Sequence, residues 1–191
     1  MSYDEDTLVE QPAINLFEGM HWDVCHCYDE VLGLENGTTG REERSDVVLV
    51  RRLYDAIEKL NPDLDELLIA DVVAELIRDR SSMSDIAANE EIYKLIKEGV
   101  KVESIDEENS DTITVKIIDW ESPENNNFFL TSQLWITGEV ETRRMDLVGF
   151  VNGLPLVFIE LKTSHRKLIN AYKENLKDYR STIPQLFWYN Q

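Results

Sequence analysis

The chain has 191 residues, 42% of them hydrophobic, and its 38 acidic residues outnumber 19 basic ones, leaving a formal charge of -19 and a pI near 4.4. This is enough chain and apolar content for one domain with a real core. The charge argues against a free-standing nucleic-acid binder, because sequence-independent affinity for phosphate comes from Lys and Arg. No run of ~18 apolar residues offers a membrane span, and the start Met-Ser-Tyr-Asp-Glu-Asp lacks the pattern of a signal peptide, so a cytoplasmic protein without membrane contact is expected.

In chain order, Pro12 suits the first turn of a helix from about Pro12 to Met20, with Ala13, Ile14 and Phe17 inward. A strand from His21 to Tyr28 carries Cys25 and Cys27 around His26. No second ligand pair accompanies them and His165 is the other distant His, so two reduced thiols on one strand face outweigh a metal site. A polar loop from Leu34 to Arg44 follows. Ser45 is expected to cap a helix to Leu60, Asn61-Pro62 breaks it, and further helices are predicted from about Leu64 to Arg80 and from about Ser84 to Glu98, ending at Gly99. Strands are then expected at about Val100 to Ile105, Thr112 to Ile118 and Phe128 to Ile136. Ser164 is placed as the cap of a helix to Arg180, and Leu186 to Gln191 reads as entry into a further strand.

The chemistry concentrates in a hairpin. Apolar runs at Leu147 to Val151 and Leu154 to Ile159, separated by Asn152-Gly153, read as antiparallel strands buried on both faces. Asp146, Glu160 and Lys162 do not belong in such a setting by default, since each carries a desolvation cost that Val or Ile would avoid. The compensation is mutual: two carboxylates sharing a divalent cation, with the ammonium beside them, is the set that hydrolysis of a phosphodiester needs. The bland alternative is a solvated strand exit with an ordinary ion pair. Register discriminates between the two. A plain two-residue turn sets Asp146 opposite Ile159 and sends Glu160 to the wrong face, whereas one bulge, or a three-residue loop Val151-Asn152-Gly153 pairing Asp146 with Phe158, returns both carboxylates to one face.

The segment Arg143 to Lys162 resembles the nuclease hallmark of the restriction (R) subunit of type I restriction-modification enzymes, specifically its N-terminal PD-(D/E)xK domain. Ile117-Ile118-Asp119-Trp120-Glu121-Ser122-Pro123-Glu124-Asn125-Asn126 is similar to that family's "ID…nPenN" segment, Asn89 to Val102 to its helix-into-strand passage, and Ala171 to Phe187 to the helix ending "QLxxYk..ip.LF". The resemblance implies an α/β (α+β) fold with a restriction-endonuclease-like core: a mixed central sheet flanked by helices, with an N-terminal helical portion. It implies one nuclease domain over 1–191, helical to about residue 99 and catalytic beyond, at the N-terminus of a longer ATP-dependent translocase. It makes Asp146 and Glu160 ligands of Mg²⁺ and Lys162 the catalytic lysine. The family's Gln-x-x-x-Tyr maps onto Asn175 and Tyr179, with Asn a departure that shortens the amide's reach by one methylene. Arg143, Arg144, Arg166 and Lys167 become DNA-contact candidates. Glu10, near the first helix, is the candidate third carboxylate, against its reading as a surface acid favouring a helix N-terminus. Double-stranded DNA, the modification (M) and specificity (S) subunits, and the motor domains of the same chain are the implied partners, and ATP belongs to the full-length subunit.

Charge distribution bears on this. Residues 141–191 carry 8 basic and 5 acidic side chains, and residues 1–140 carry 11 and 33. Base therefore clusters around the proposed site. The competing class is an acidic DNA mimic or protein-interaction module without catalysis, which needs acid along one extended surface and no metal site.

Overall fold

The computed structural model describes residues 9–33, 35–106, 109–161 and 176–190. Helix α1 (Gln11–Gly19) begins with Pro12 in its first turn and leads into β1 (Asp23–His26). Helix α2 spans Val50–Leu60 rather than starting at Ser45. Val47, Val48 and Leu49 are all buried, and three consecutive buried side chains fit an extended segment wedged into a core, not one face of a surface helix. Leu49 N is held there by Gly153 O at 2.9 Å.

Helix α3 (Glu66–Ile77) is capped by Asp65, whose carboxylate accepts from Leu67 N. Helix α4 (Asp85–Glu98) is capped by Ser84, as its sequence predicts, and ends at Gly99. With φ at +86° and Val115 O 2.6 Å from where a Cβ would stand, this position admits only glycine. Strands β2 (Val100–Asp106) and β3 (Asn109–Val115) form a separate antiparallel pair. Strand β3 stops short of Ile118 because side-chain amides replace the ladder: Asn61 binds Lys116 N and Asn152 binds Ile117 O.

The main sheet has the order β1-β4-β5-β6, with β4 (Phe128–Thr137), β5 (Thr142–Val151) and β6 (Leu154–Ile159) antiparallel in sequence and β1 parallel to β4. Both faces are covered. Phe129, Val148 and Phe150 join the large core with Leu53, Ile57, Val72, Leu76 and Ile92 from α2, α3 and α4. Their neighbours Leu130 and Leu147 point the other way, onto Ile14 and Phe17 of α1. The result is the mixed α/β architecture expected, with helices on both sides of a mixed sheet.

The C-terminus differs from the strand expected at Leu186 to Gln191. Helices α5 (Lys177–Thr182) and α6 (Pro184–Phe187) are followed by a turn. Asn89 Nδ2 donates to the carbonyls of Phe187, Trp188 and Asn190, a curled backbone that no strand has, and Tyr189 Oη donates to Leu76 O in the core. Most of the helix expected from Ser164 lies outside the described residues. No helix among the described residues is long and apolar enough to cross a membrane.

Candidate active site

The hairpin's turn is the two-residue Asn152-Gly153, with φ of +51° and +80°, the pattern of a primed turn. Next to it the pairs Val151 with Leu154 and Phe150 with Pro155 follow the plain register. Beyond them the pairing shifts to Gly149 with Val157 and Leu147 with Ile159, so Leu156 is an extra residue on β6. Of the two routes to a shared face, the structure takes the bulge and not the three-residue loop. Continued by one step, the shifted register brings Glu160 against Asp146, and Leu161 N donates to Asp146 Oδ2 at 2.8 Å.

On the other side of β5, the pairs Ser132 with Leu147 and Leu134 with Met145 bracket Gln133 opposite Asp146. Gln133 has a φ of +56°, rare for a non-glycine residue inside a strand. The sheet turns over along this line. Leu130 and Leu147 face α1, whereas Leu134 and Met145, an even number of residues away, belong to the opposite core. Gln133 Nε2 donates to Glu10 Oε2 at 2.6 Å, and Glu10 is buried rather than on the surface. Glu10, Gln133, Asp146 and Glu160 thus form one transverse row across α1, β4, β5 and β6.

Tyr179 on α5 is buried edge-on against Phe158 at 5.8 Å. Its hydroxyl is held well above the usual phenol range, first by burial and then by the charges of Glu160 and Asp146, so both carboxylates lie near the same ring. Lys162, Asn175, Arg166 and Lys167 lie outside the described residues. The two adjacent arginines part company: Arg143 forks onto Asp178 at 2.6 and 3.1 Å and also pairs with Glu141, whereas Arg144 is exposed and lies over the Tyr28 and Trp135 rings.

Among the described residues, no three His, Cys, Asp or Glu side chains stand close enough to cage a metal. Asp146 and Glu160 still suit a hard cation that keeps water and substrate oxygens in its shell, which is how Mg²⁺ is ordinarily held. Glu160 Oε2 is closed off from solvent, where a carboxylate gains most from a cation. Cys25 and Cys27 are both free thiols. His26 Nδ1 is engaged with Ser132 Oγ at 2.7 Å. The Cys27 thiol hydrogen-bonds Cys25, which lowers the Cys25 pKa to about 7, while that same bond and then burial push Cys27 upward.

The hairpin is locked from outside by residues whose role the sequence did not disclose. Asn152, fully buried, accepts from Asn127 N at 2.7 Å and donates to Ile117 O at 2.8 Å and Asn126 Oδ1 at 2.9 Å. Asn126 is itself oriented by Asp119, whose N–H donates to Asn126 Oδ1 and whose carbonyl accepts from Asn126 Nδ2. The Ile117–Asn126 segment is therefore the clamp on the turn that sets the hairpin register.

The family model for the type I restriction enzyme R protein N terminus matches residues 2–191. The chain belongs to this family. It is 34% identical over 188 residues to the type I restriction enzyme HindI endonuclease subunit of Haemophilus influenzae, covering 96% of this chain and 17% of that protein. It is 29% identical over 196 residues to the "Putative type I restriction enzyme MjaIXP endonuclease subunit" of Methanocaldococcus jannaschii, covering 98% of this chain and 18% of the relative. The chain thus spans less than a fifth of the length of the curated relatives it matches.

Proposed function

We propose that this chain is the nuclease domain of a type I restriction R subunit, hydrolysing phosphodiester bonds of double-stranded DNA with Mg²⁺ at Asp146 and Glu160. The observation that carries the reading is the bulge at Leu156, which costs regular pairing and has the effect of setting two carboxylates side by side at the end of an apolar hairpin. A bound Mg²⁺ would supply charge stabilisation on the phosphate oxygens and a more acidic water. Asp146, held by Leu161 N, and Glu160 would be its ligands, with Glu10 linked to the row through Gln133 and not a third ligand. Lys162 orients the attacking water and offsets developing charge. Tyr179 walls the site from solvent, and Asn175 and Arg143 act at its edge, Arg143 by tying β5 to α5. Arg166 and Lys167 add positive charge downstream.

In this reading the domain works in the cytoplasm as part of a longer chain. ATP-driven translocation comes from the motor domains of that chain, target recognition from a specificity subunit and methylation from a modification subunit. The test is Asp146→Ala and Glu160→Ala in the full-length R subunit assembled with its partners. Each variant is expected to lose DNA cleavage by at least a thousandfold with ATP hydrolysis and assembly unchanged. Cleavage retained by either variant removes that residue from the centre.

A further inference from the structure

Among the described residues, five of nine arginines are paired with acids, and Arg44, Arg51, Arg52 and Arg144 are not. Arg41, Arg78, Arg80, Arg143 and Arg180 each have a carboxylate within 4 Å. Arg44 and Arg144 are exposed and, among the described residues, form no ion pair in a protein with twice as many acids as bases. They are nonetheless fixed. The Arg144 guanidinium lies 5.4 Å from the Tyr28 ring and 5.6 Å from the Trp135 ring, and Arg44 lies 5.8 Å from the Trp135 ring, within the range of cation–π attraction.

The platform is tied together by hydrogen bonds at the surface. Trp135 Nε1 donates to Tyr28 O at 3.0 Å, and Thr137 N donates to Arg44 O at 2.9 Å. Beneath it the buried pair Glu30–Arg41 reaches both supports, Arg41 donating to Trp135 O and to Arg44 O. Two acids near Arg44 in sequence are engaged elsewhere: Asp46 accepts from Glu42 N and Glu43 N, and Glu43 accepts from Ser45. Two guanidiniums resting over aromatic rings, neither ion-paired among the described residues, retain donors for an anion from outside.

We infer that Arg44 and Arg144, stacked on Trp135 and Tyr28, form a contact for the phosphodiester backbone of the DNA next to the bond that is cut. Arg144 precedes Asp146 by two residues on β5, and Trp135 follows Gln133 by two on β4, so the patch lies ~7 Å along the strands from the carboxylate row, just past the line where the sheet turns over. That is the reach of a phosphate a nucleotide or two from the scissile one. Phosphate is favoured over base stacking because the ring faces already carry guanidiniums. The inference rests on the proposed nuclease reading for what lies at the centre.

The test is equilibrium binding of a fluorescent DNA duplex in EDTA by the full-length subunit in its complex, as salt is varied, together with single-turnover cleavage in Mg²⁺. Arg44→Gln/Arg144→Gln is expected to make the log-affinity against log-salt slope shallower by about 1.8, roughly 0.9 per lost phosphate contact, so its deficit relative to wild type shrinks about tenfold between 50 and 200 mM salt. Arg44→Lys/Arg144→Lys should restore the slope, as a merely structural role would not. Slopes equal to wild type in the Gln double variant, or a deficit independent of salt, overturn the contact. Asp146→Asn, run in parallel, should abolish cleavage with the binding slope unchanged. Cleavage by that variant would overturn the nuclease reading while the slopes still decide the arginine contact.

Discussion

The Asn152 amide closes the turn that governs the hairpin register, and its replacement by Ala can be costed group by group. The methyl group leaves two buried partners unmatched, Asn127 N and Ile117 O, while Asn126 Oδ1 keeps its bond from Asp119 N. An unsatisfied buried group costs about 1–3 kcal/mol. Rotation of the Asn126 amide cannot relieve the loss, because its oxygen already serves Asp119 N and its nitrogen Asp119 O and Pro123 O. The residue also sits at φ +51°, where Ala is disfavoured by roughly 1 kcal/mol and Asn is not. Taking the low figure per group, the total is about 3 kcal/mol, or a fall in melting temperature of roughly 6–12 °C for a chain of this size. Urea and thermal unfolding of the 191-residue chain measure it. Asn152→Gly should recover only the backbone share, about 1 kcal/mol. Asn152→Asp sets a second oxygen against Ile117 O and Asn126 Oδ1, so its folded-state carboxyl pKa rises above the unfolded one. Its deficit should therefore ease as pH falls, when protonation restores a donor. An Asn152→Ala variant within about 1 kcal/mol of wild type would refute the argument that this amide holds the turn.

Two further outcomes follow from the same structure. Alkylation of Cys25 by iodoacetamide should accelerate as pH rises through about 7 and level off above it, because the thiolate is the nucleophile and the Cys27 thiol stabilises it by hydrogen bonding; Cys27, buried and pushed upward, should stay unlabelled, and mass spectrometry showing Cys27 modified first would sink the assignment. The 191-residue chain alone should bind duplex DNA weakly and lose that binding steeply with salt, since residues 1–140 carry 33 acids against 11 bases; tight, salt-resistant binding in an anisotropy titration would contradict it and a partner-free preference for DNA-binding proteins would favour the mimic reading instead.

Much of the fold was legible because local signals and tertiary packing agreed. Ser84 and Gly99 bracket α4 as caps should, and the alternating residues of β4 and the apolar hairpin reappear as paired strands. The misplacements have one cause, tertiary partners that replace local ones. Residues 45–49 look helical by pattern but are drawn straight by the Leu49–Gly153 hydrogen bond, and β3 ends early where Asn61 and Asn152 take over its backbone groups. Leu186 to Asn190 has strand composition, yet Asn89 gathers its carbonyls into a turn. Neither amide announces its reach from a distance in sequence.

The carboxylate row was half legible for a physical reason. Parity along β6 and the Asn-Gly turn forced a choice between a bulge and an odd loop, and that choice could be framed without coordinates. Gln133 could not be found the same way, because its importance lies in a positive φ that turns β4 over opposite Asp146 and so lets one strand serve both cores. A polar residue interrupting an apolar strand was the available signal. On the proposed nuclease reading, the same row would account for how so acidic a chain meets DNA. Most exposed charges are screened beyond about 8 Å at physiological salt, so the overall -19 sets how readily DNA approaches, whereas the balance at the cut is set by what lies within one Debye length of Asp146 and Glu160. There, two guanidiniums, neither ion-paired among the described residues, rest over Trp135 and Tyr28, and in that reading approach itself would be left to the rest of a longer chain.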